Sequence, residues 1–311
     1  MGTVWAGEQL ALRRQVAVKS LRVAGAAQRA RLRNEALALA SLHHPAVVQV
    51  YDYGETEASV PFIVMELVRG ETLAARLARA GALDAEGAVA LVLPLLDGLT
   101  AAHAAGIVHR DLKPDNIVLT PGPAGPVPKL LDFGIAKQEG DSGPRLTVEG
   151  SFVGTPDYMA PEQLTLAPVD ERTDVWGMAI VLYEMMAGRP PFAAPDMYSV
   201  MRGVVDAPPT FPRAAQGLDG RLWSILMGAL RKDPAERTPS ARALRDALDG
   251  WRDARRGVSP EARPASQAPR AIPASAPTLA AQGLERATTA PQLADDGLGS
   301  LDALIRHKLG D

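Results

Sequence analysis

The sequence predicts an α+β protein of two parts, a small unit of strands and one helix followed by a larger, mainly helical unit. Residues 4–22 alternate between polar and apolar in the manner of strands, and 47–53 and 62–67 are two further strand-like runs. After Gly70 the apolar residues recur mostly at helical spacing as far as Trp251. The first part therefore predicts a small sheet, and the second predicts a helical core.

Composition narrows the class of protein before any motif is considered. The chain has 311 residues, of which 47% are hydrophobic and 22% charged, which is typical of a globular protein. Its net charge of −3 gives no sign of a nucleic-acid partner, and the absence of cysteine excludes disulfides, thiolate metal sites and a catalytic thiol. With no basic leader and no run of about 18 apolar residues, we expect a cytoplasmic protein without a membrane segment in this chain.

The elements of the first part follow from local pattern. Val16-Ala17-Val18 is the apolar centre of one strand. A helix is predicted from about residue 26 to residue 42, because Leu32, Ala36, Leu39 and Ala40 share one helical face. The His44-Pro45 pair ends that helix, since the residue before proline avoids helical geometry.

The second part predicts mostly helices and then a tail. Helices are expected at 73–80, 85–105, 174–187, 218–230 and 240–251, with short strands at 117–119 and 129–131. Residues 252–300 are rich in Pro, Ala, Gly and Ser, so we expect 252–311 to be a disordered tail. Its end either forms a short amphipathic helix or frays; the apolar residues there are Leu301, Leu304, Ile305 and Leu309.

The most informative motif is His109-Arg110-Asp111-Leu112-Lys113-Pro114-Asp115-Asn116, followed sixteen residues after Asn116 by Asp132-Phe133-Gly134. Two carboxylates and an amide at this spacing are what phosphoryl transfer requires of a protein. One carboxylate orients the attacking hydroxyl, and the other, with the amide, holds Mg²⁺ against nucleotide phosphates.

These motifs resemble those of the protein kinase family, and the resemblance extends over most of residues 1–250. The chain looks most like the bacterial, eukaryotic-like (Hanks-type) serine/threonine protein kinases. This resemblance implies the two-lobed protein kinase fold, with an N-lobe at 1–66, a hinge at 66–68 and a C-lobe at 69–251. ATP and Mg²⁺ would bind between the lobes.

The resemblance also implies roles for the charged residues. Lys19, which follows Val18 at the end of the predicted strand, would reach the α- and β-phosphates. Glu35 on the following helix would hold it by an ion pair. Asp111 would orient the substrate hydroxyl, and Lys113 would offset charge on the transferring phosphoryl group. The Mg²⁺ ligands would be Asn116 and Asp132.

The adenine slot is implied in the same way. Val4 and Ala17 would cover the ring, and Val118 would lie beneath it. Met65 would be the gatekeeper, and the backbone of Glu66 and Val68 would supply the hinge hydrogen bonds.

Further positions have implied structural roles. Thr155 would bridge Asp111 and Lys113, whereas Glu162 would form a buried ion pair with Arg237. Asp174 would hydrogen-bond the backbone of the catalytic loop. His109, Phe133 and Leu39 would pack between the lobes, and for His43, His44 and His103 we prefer structural roles to metal binding.

The start of the chain departs from the family pattern. The glycine-rich loop of the family reads G-x-G-x-x-G-x-V, and only Gly2 and Val4 of it are present here. The backbone of that loop normally cradles the phosphates. We expect that the chain begins inside the loop and that the natural start lies upstream. The alternative is a pseudokinase, a scaffold with impaired ATP binding.

The activation segment, which the resemblance places at residues 146–154 and closes with 154–162, departs from the family pattern as well. Kinases that carry an arginine at the position of Arg110 are commonly switched by a phosphate, which pairs with that arginine. Glu149 stands where many related bacterial kinases have the main phosphothreonine, and we hypothesise that it supplies part of that charge. The alternative is that Glu149 is a solvated loop residue. Thr147 and Ser151 are candidate phosphosites.

Together these features predict a serine/threonine protein kinase. It would transfer the γ-phosphoryl group of ATP to Ser or Thr hydroxyls of protein substrates and autophosphorylate in trans, for which a kinase dimer would serve. Lys113 is typical of the serine/threonine group by resemblance. The stretch from Gly154 to Glu162 resembles a platform for protein substrates, which disfavours a small-molecule phosphotransferase.

Overall fold

A twisted antiparallel sheet forms the first part of the protein. The computed structural model describes residues 3–21, 25–123, 125–134, 145–146, 152–153, 156–212 and 215–257. The sheet has the order β1-β2-β4-β3, with β1 Val4–Gln9, β2 Arg14–Ser20, β3 Val50–Glu55 and β4 Pro61–Glu66. The predicted strand region 4–22 is thus two strands joined by a tight turn, in which Arg13 has a φ of 47°.

One helix packs on this sheet and completes the small lobe. Helix α1, Ala26–Ser41, contacts β3 and buries Leu32, Ala36 and Leu39, which are three of the four residues that predicted it. The face opposite these residues carries arginines and the exposed Leu37. The helix ends at Ser41, ahead of Pro45, as the sequence predicts.

The larger lobe is mainly helical. Its helices are α2 Leu73–Ala80, α3 Ala85–Ala104, α4 Pro161–Leu164, α5 Arg172–Ala187, α6 Met197–Asp206, α7 Gly220–Ala229 and α8 Ala241–Arg255. Short strands β5 Glu71–Thr72, β6 Ile117–Thr120 and β7 Val127–Leu130 form a second sheet, and β8 Arg145–Leu146 pairs with β9 Phe152–Val153. The predicted two-lobed α+β architecture is confirmed.

Helix α3 is the central helix of the larger lobe. Of the helices in the described part of the chain, it alone is long and apolar enough to cross a membrane by length and composition, and half of that apolar stretch is buried inside the protein. It packs against α5, α8 and β7. Val89, Val92, Leu96 and Leu99 are fully buried there. Its apolar character therefore has an explanation in core packing.

Helix α8 extends beyond the boundary that the composition shift predicted. The sequence placed the start of the tail at residue 252, whereas the helix continues to Arg255. Charged side chains hold this last turn: Arg255 contacts Asp219, and Arg256 pairs with Glu86 on α3. Composition missed the extension because polar residues that pair across helices look like linker residues in a sequence. The rest of the predicted tail, residues 258–311, lies outside the described residues.

Backbone hydrogen bonds join the two lobes beneath the sheet. The N–H of Val48 donates to the carbonyl of Leu130 at 2.9 Å, and the N–H of Leu130 donates to the carbonyl of Ala46 at 2.8 Å. Beside them, the ammonium of Lys129 contacts both carboxylate oxygens of Glu66 at 2.8 and 2.7 Å. Strand β7, which leads into Asp132, is therefore fixed directly to the small lobe.

Lys232 occupies an unusual place for a lysine, in the aromatic packing of the larger lobe. Its ammonium lies 4.0 Å from the centre of the Phe192 ring and 4.9 Å from that of Trp176. It donates to the carbonyls of Gly203 and Val204 near the end of α6. Burial lowers the pKa of Lys232 to about 8, with Arg237 acting in the same direction and Asp206 opposing it.

We expect Lys232 to make stability depend on pH. An unfolded chain holds the lysine proton up to about pH 10.4, whereas the folded protein loses it near pH 8. Between these values the unfolded state binds more protons, so this side chain raises the free energy of unfolding as the pH rises. From about pH 7 to about pH 9 the gain should be on the order of 1 kcal/mol.

Urea unfolding of the wild type and of Lys232→Met at both pH values measures this gain. Both proteins share every other titrating group, so the difference between them isolates Lys232. The free energy of unfolding of the wild type, relative to that of Lys232→Met, should increase from the lower to the higher pH. The same relative value at both pH values would contradict the lowered pKa of Lys232.

Candidate active site

The catalytic loop has no regular secondary structure at residues 109–111, yet each of its backbone polar groups has a partner. The N–H groups of His109 and Arg110 donate to the two carboxylate oxygens of Asp174 at 2.7 and 2.8 Å. The carbonyl of His109 accepts from the N–H of Gly134 at 2.9 Å. The carbonyl of Arg110 accepts from the side chain of Gln163 at 3.0 Å. These bonds hold Arg110 at a φ of 62°, a conformation that costs a non-glycine residue about 1–2 kcal/mol.

Asp174 is the anchor of this loop, as the sequence predicts. It lies in the first turn of α5 and is almost fully buried. Besides the two backbone N–H groups, its Oδ2 lies 2.8 Å from Nε2 of His103 on α3. The Nδ1 atom of His103 lies 3.8 Å from Glu171, so the ring sits between two carboxylates. His103 thus supports the anchor of the loop, which agrees with the structural role we preferred for it.

His109 is a neutral packing residue. Its Nε2 lies 2.8 Å from the carbonyl of Leu131, which can only accept, so Nε2 must carry the proton. Its Nδ1 accepts from the N–H of Asp111 at 3.3 Å and must be unprotonated. Burial lowers the pKa of His109, which favours the same neutral form. The ring packs against Phe133 with 4.6 Å between centroids, and Leu39 is buried in the same apolar core.

Three of the predicted site residues, Asp111, Lys113 and Asn116, meet at the end of the loop. The Asn116 amide nitrogen donates to the backbone carbonyl of Asp111 at 2.8 Å and to its Oδ2 at 3.1 Å. Both partners are acceptors, so the amide orientation is determined, and the oxygen Oδ1 faces away from them. The Lys113 ammonium lies 3.7 Å from Oδ2 of Asp111. The loop therefore presents a carboxylate flanked by a cation and an amide.

Asp132 brings the second carboxylate to the site. It comes two residues after the end of β7 and has a φ of 47°, which is uncommon for a residue other than glycine and recurs at functional sites. Its Oδ1 lies 2.8 Å from the ammonium of Lys19, the second-last residue of β2 in the small lobe. This ion pair connects the small lobe to Asp132 across the cleft between the lobes. Glu35 lies half-buried on α1, and its pairing with Lys19 stays a prediction.

The residues predicted to surround adenine lie around the same cleft. Ala17 and Met65 are cross-strand partners and share a small apolar cluster with Val48, against which Val68 packs. Val118 is buried on β6, whereas Val4 on β1 is 52% exposed and opposes Lys19 across the sheet. The N–H of Glu66 donates to the carbonyl of Gln49 at 2.9 Å, so this backbone group is already engaged within the small lobe.

The ion pair predicted between Glu162 and Arg237 is present and deeply buried. The two guanidinium nitrogens lie 2.8 and 2.9 Å from the two carboxylate oxygens, and the side chains are 0% (Arg237) and 4% (Glu162) exposed. Thr173 donates a further hydrogen bond to Glu162 at 2.7 Å. The pair fixes α4 to the loop before α8, so it is structural, as expected.

Tyr158 anchors the end of the activation segment. Its hydroxyl donates to Glu184 on α5 at 2.7 Å, and burial raises the pKa of both groups. Tyr158 and Met159 line one side of a small pocket, and the catalytic-loop residues Asp111 and Lys113 line the other. The pocket therefore lies beside the Asp111 carboxylate.

Several predicted positions lie outside the described residues, namely Gly2, Thr147, Glu149, Ser151 and Thr155. The hypotheses on charge mimicry at Glu149, on the phosphosites and on the Thr155 bridge therefore stay predictions. Within the described part of the chain, His43, His44 and His103 do not form a metal-binding group.

Comparison with known proteins agrees with this geometry. Residues 1–247 match the protein kinase domain family. The chain belongs to the protein kinase family. It is 40% identical over 264 residues to a probable serine/threonine-protein kinase of Streptomyces coelicolor, covering 81% of this chain and 38% of that protein. The two-lobed architecture described above is thus the protein kinase fold.

Other relatives carry similar names. The chain is 36% identical over 289 residues to the serine/threonine-protein kinase pkn3 of Myxococcus xanthus, covering 90% of this chain and 52% of pkn3. It is 38% identical over 252 residues to the serine/threonine-protein kinase PknB of Mycobacterium tuberculosis, covering 79% of this chain and 40% of PknB. The chain thus spans between 38% and 52% of the length of these three relatives.

Proposed function

We propose that this protein is a serine/threonine protein kinase, which transfers the γ-phosphoryl group of ATP to Ser or Thr hydroxyls of proteins. The observation that carries the proposal is the set of contacts among the predicted catalytic and metal-binding residues. Asn116 and Lys113 both contact Asp111, while Lys19 reaches across the cleft to Asp132. The names of the relatives from three bacteria support the same activity.

In this proposal Asp111 is the residue that acts on the substrate hydroxyl. Its carboxylate accepts the hydrogen bond of the hydroxyl and turns the oxygen lone pair toward the γ-phosphorus. The new bond between the hydroxyl oxygen and the γ-phosphorus forms as the bond from the γ-phosphorus to the β–γ bridging oxygen breaks, so that ADP leaves. The hydroxyl proton passes to the carboxylate late in this transfer. Lys113 lies close enough to offset the negative charge that develops on the transferring group.

The nucleotide would bind between the two lobes, beneath β1 and β2. Its adenine would lie next to the hinge at residues 66–68. Ala17, Met65 and Val118 would bound the adenine, and the Glu66 carbonyl and Val68 would hydrogen-bond its edge. Lys19 would exchange its contact with Asp132 for the α- and β-phosphates, or bridge the two, because its ammonium has three donors.

Residues suited to Mg²⁺ lie at the inner end of the cleft. The Asp132 carboxylate and the Asn116 amide oxygen are hard oxygen ligands, which Mg²⁺ prefers, and a kinase site supplies few protein ligands because phosphates and water complete the octahedron. The buried contacts of Asn116 with Asp111 turn its Oδ1 outward for this purpose. When bound, the ion would neutralise charge on the β- and γ-phosphates.

Transfer of label from γ-labelled ATP tests the proposal. With Mg²⁺ and a generic acceptor protein, the wild type should incorporate label into phosphoserine or phosphothreonine. Lys19→Met should reduce incorporation of label by about a hundredfold or more, because it removes the positive charge of the Lys19 ammonium that would contact the phosphates. Arg69→Met, which removes an exposed charge just beyond the hinge, is the matched control and should retain most of the activity.

Two results would contradict the proposal. Label that persists in Lys19→Met would point to a contaminating kinase. A folded wild-type protein that binds ATP but transfers no label would be a binding scaffold instead.

A further inference from the structure

Gln163 connects the end of the activation segment to the catalytic loop. It lies on the short helix α4 and is 4% exposed. Its Oε1 accepts from the N–H of Ala160 at 2.9 Å, and its Nε2 donates to the carbonyl of Arg110 at 3.0 Å. One partner is a donor and the other an acceptor, so the orientation of the amide is determined by the contacts.

The position of the second contact gives it a consequence for catalysis. The carbonyl of Arg110 belongs to the peptide group that connects Arg110 to Asp111, and the N–H of that same peptide group donates to His109. Gln163 and His109 therefore hold the two ends of one peptide plane. Rotation of this plane would turn the Asp111 side chain, which shares the pocket with Gln163.

The strained backbone of Arg110 makes it necessary to restrain the peptide plane between Arg110 and Asp111. Arg110 has a φ of 62°, and relaxation to a negative φ would relieve strain but would move the residues on both sides. Asp174 fixes the preceding peptide plane from α5, and Gln163 fixes the following one from α4. The two buried side chains thus hold the strained residue from opposite sides.

We propose that Gln163 is a positioning residue for the catalytic carboxylate, which it orients through the Arg110 carbonyl without contacting substrate or nucleotide. The inference rests on the proposed kinase activity, because it concerns how well Asp111 is aimed for phosphoryl transfer. A role confined to capping α4 would use only the contact with Ala160. The two roles therefore depend on different atoms of one side chain.

Gln163→Glu separates these atoms. The carboxylate has nearly the same shape and still accepts from Ala160, but it faces the Arg110 carbonyl with an acceptor instead of a donor. We expect kcat near pH 8 to fall by about tenfold or more, since a buried hydrogen bond becomes a repulsion. The KM for ATP should change by less than about twofold, because Gln163 contacts none of the residues proposed to bind the nucleotide.

The pH profile gives a readout that a capping role would not move. At about pH 6 the carboxyl of Gln163→Glu would be partly protonated and could donate to Arg110 again, so the ratio of mutant to wild-type kcat should rise. Dividing by the wild type removes the titration of Asp111, Asp174 and the other charged groups around the pocket. Gln216→Glu adds the same charge at an exposed site of the larger lobe, and its ratio should stay near one.

Gln163→Asn is the second variant, in case the charged one does not fold. It keeps a neutral amide but is one methylene too short to reach both partners, so kcat should again fall while urea unfolding reports a folded protein. A folded variant of either kind with wild-type kcat at all pH values would overturn the inference. An inactive wild type would instead refute the proposed function, so the two failures are distinguishable.

Discussion

Replacing Asp111 with Asn is expected to lower kcat by about a hundredfold to ten-thousandfold, which is the usual contribution of a positioned general base. The amide keeps the size of the side chain and can still accept from Asn116, so the loop should retain its structure. It cannot take up the hydroxyl proton. The affinity for ATP should change little, because the proposed role of Asp111 is to contact the substrate hydroxyl and not the nucleotide.

Steady-state kinetics with a protein acceptor, together with a direct titration of ATP binding, measure both quantities. Asp115→Asn is the control, since Asp115 is an exposed carboxylate in the same loop and its change removes the same charge. The control should stay within about threefold of the wild type. An Asp111→Asn protein that retains most of its kcat would refute the role of this carboxylate.

Removing the guanidinium of Arg237 is expected to have the largest effect on stability. Arg237→Met leaves the Glu162 carboxylate buried with Thr173 as its remaining described partner, and it removes donors from the carbonyls of Arg172 and Arg231. Breaking a buried pair by deleting one partner costs about 3–5 kcal/mol, because the other charge stays uncompensated. The free energy of unfolding in urea should fall by that amount.

The chain offers a matched control for this experiment. Arg256 and Glu86 are also 2.8 Å apart, but both side chains are about half exposed. Arg256→Met should cost less than about 1 kcal/mol, since water already solvates both charges. The double variant Glu162→Gln with Arg237→Met should be more stable than Arg237→Met alone. Equal losses of unfolding free energy in Arg237→Met and Arg256→Met would show that burial of the Glu162–Arg237 pair has no effect on stability, contrary to this prediction.

Sequence alone predicted much of the fold because its main elements carry local signals. Helix α1 was predicted from four apolar residues on one face, and three of them are buried. Helix α6 was missed, although Asp196 caps it by accepting from the N–H of Ser199 at 2.9 Å. The buried residues of that helix, Val200 and Val204, give only a single turn of periodicity. Short helices of this kind are specified by their caps and by packing more than by pattern.

The motifs of the site carried a different kind of information. The resemblance assigned Asp174 to the catalytic-loop backbone and Glu162 to Arg237, and the structure contains both contacts. Spacing could not reveal the contact of Lys19 with Asp132, because it depends on how far the two lobes close. Nor could it reveal Gln163, whose partner Arg110 is 53 residues away and joins it through a backbone atom. Every residue has a backbone carbonyl, so the sequence does not indicate which residue will accept such a hydrogen bond.

The proposed kinase activity is tested most directly by phosphoamino-acid analysis of a substrate protein after incubation with Mg²⁺ and γ-labelled ATP. The wild type and Asp111→Asn are compared in parallel. We predict label on serine or threonine with the wild type and a loss of about a hundredfold or more with the variant, while both proteins bind ATP. Label on tyrosine alone, or no label from a wild-type protein that is folded and binds ATP, would contradict the proposed serine/threonine kinase activity.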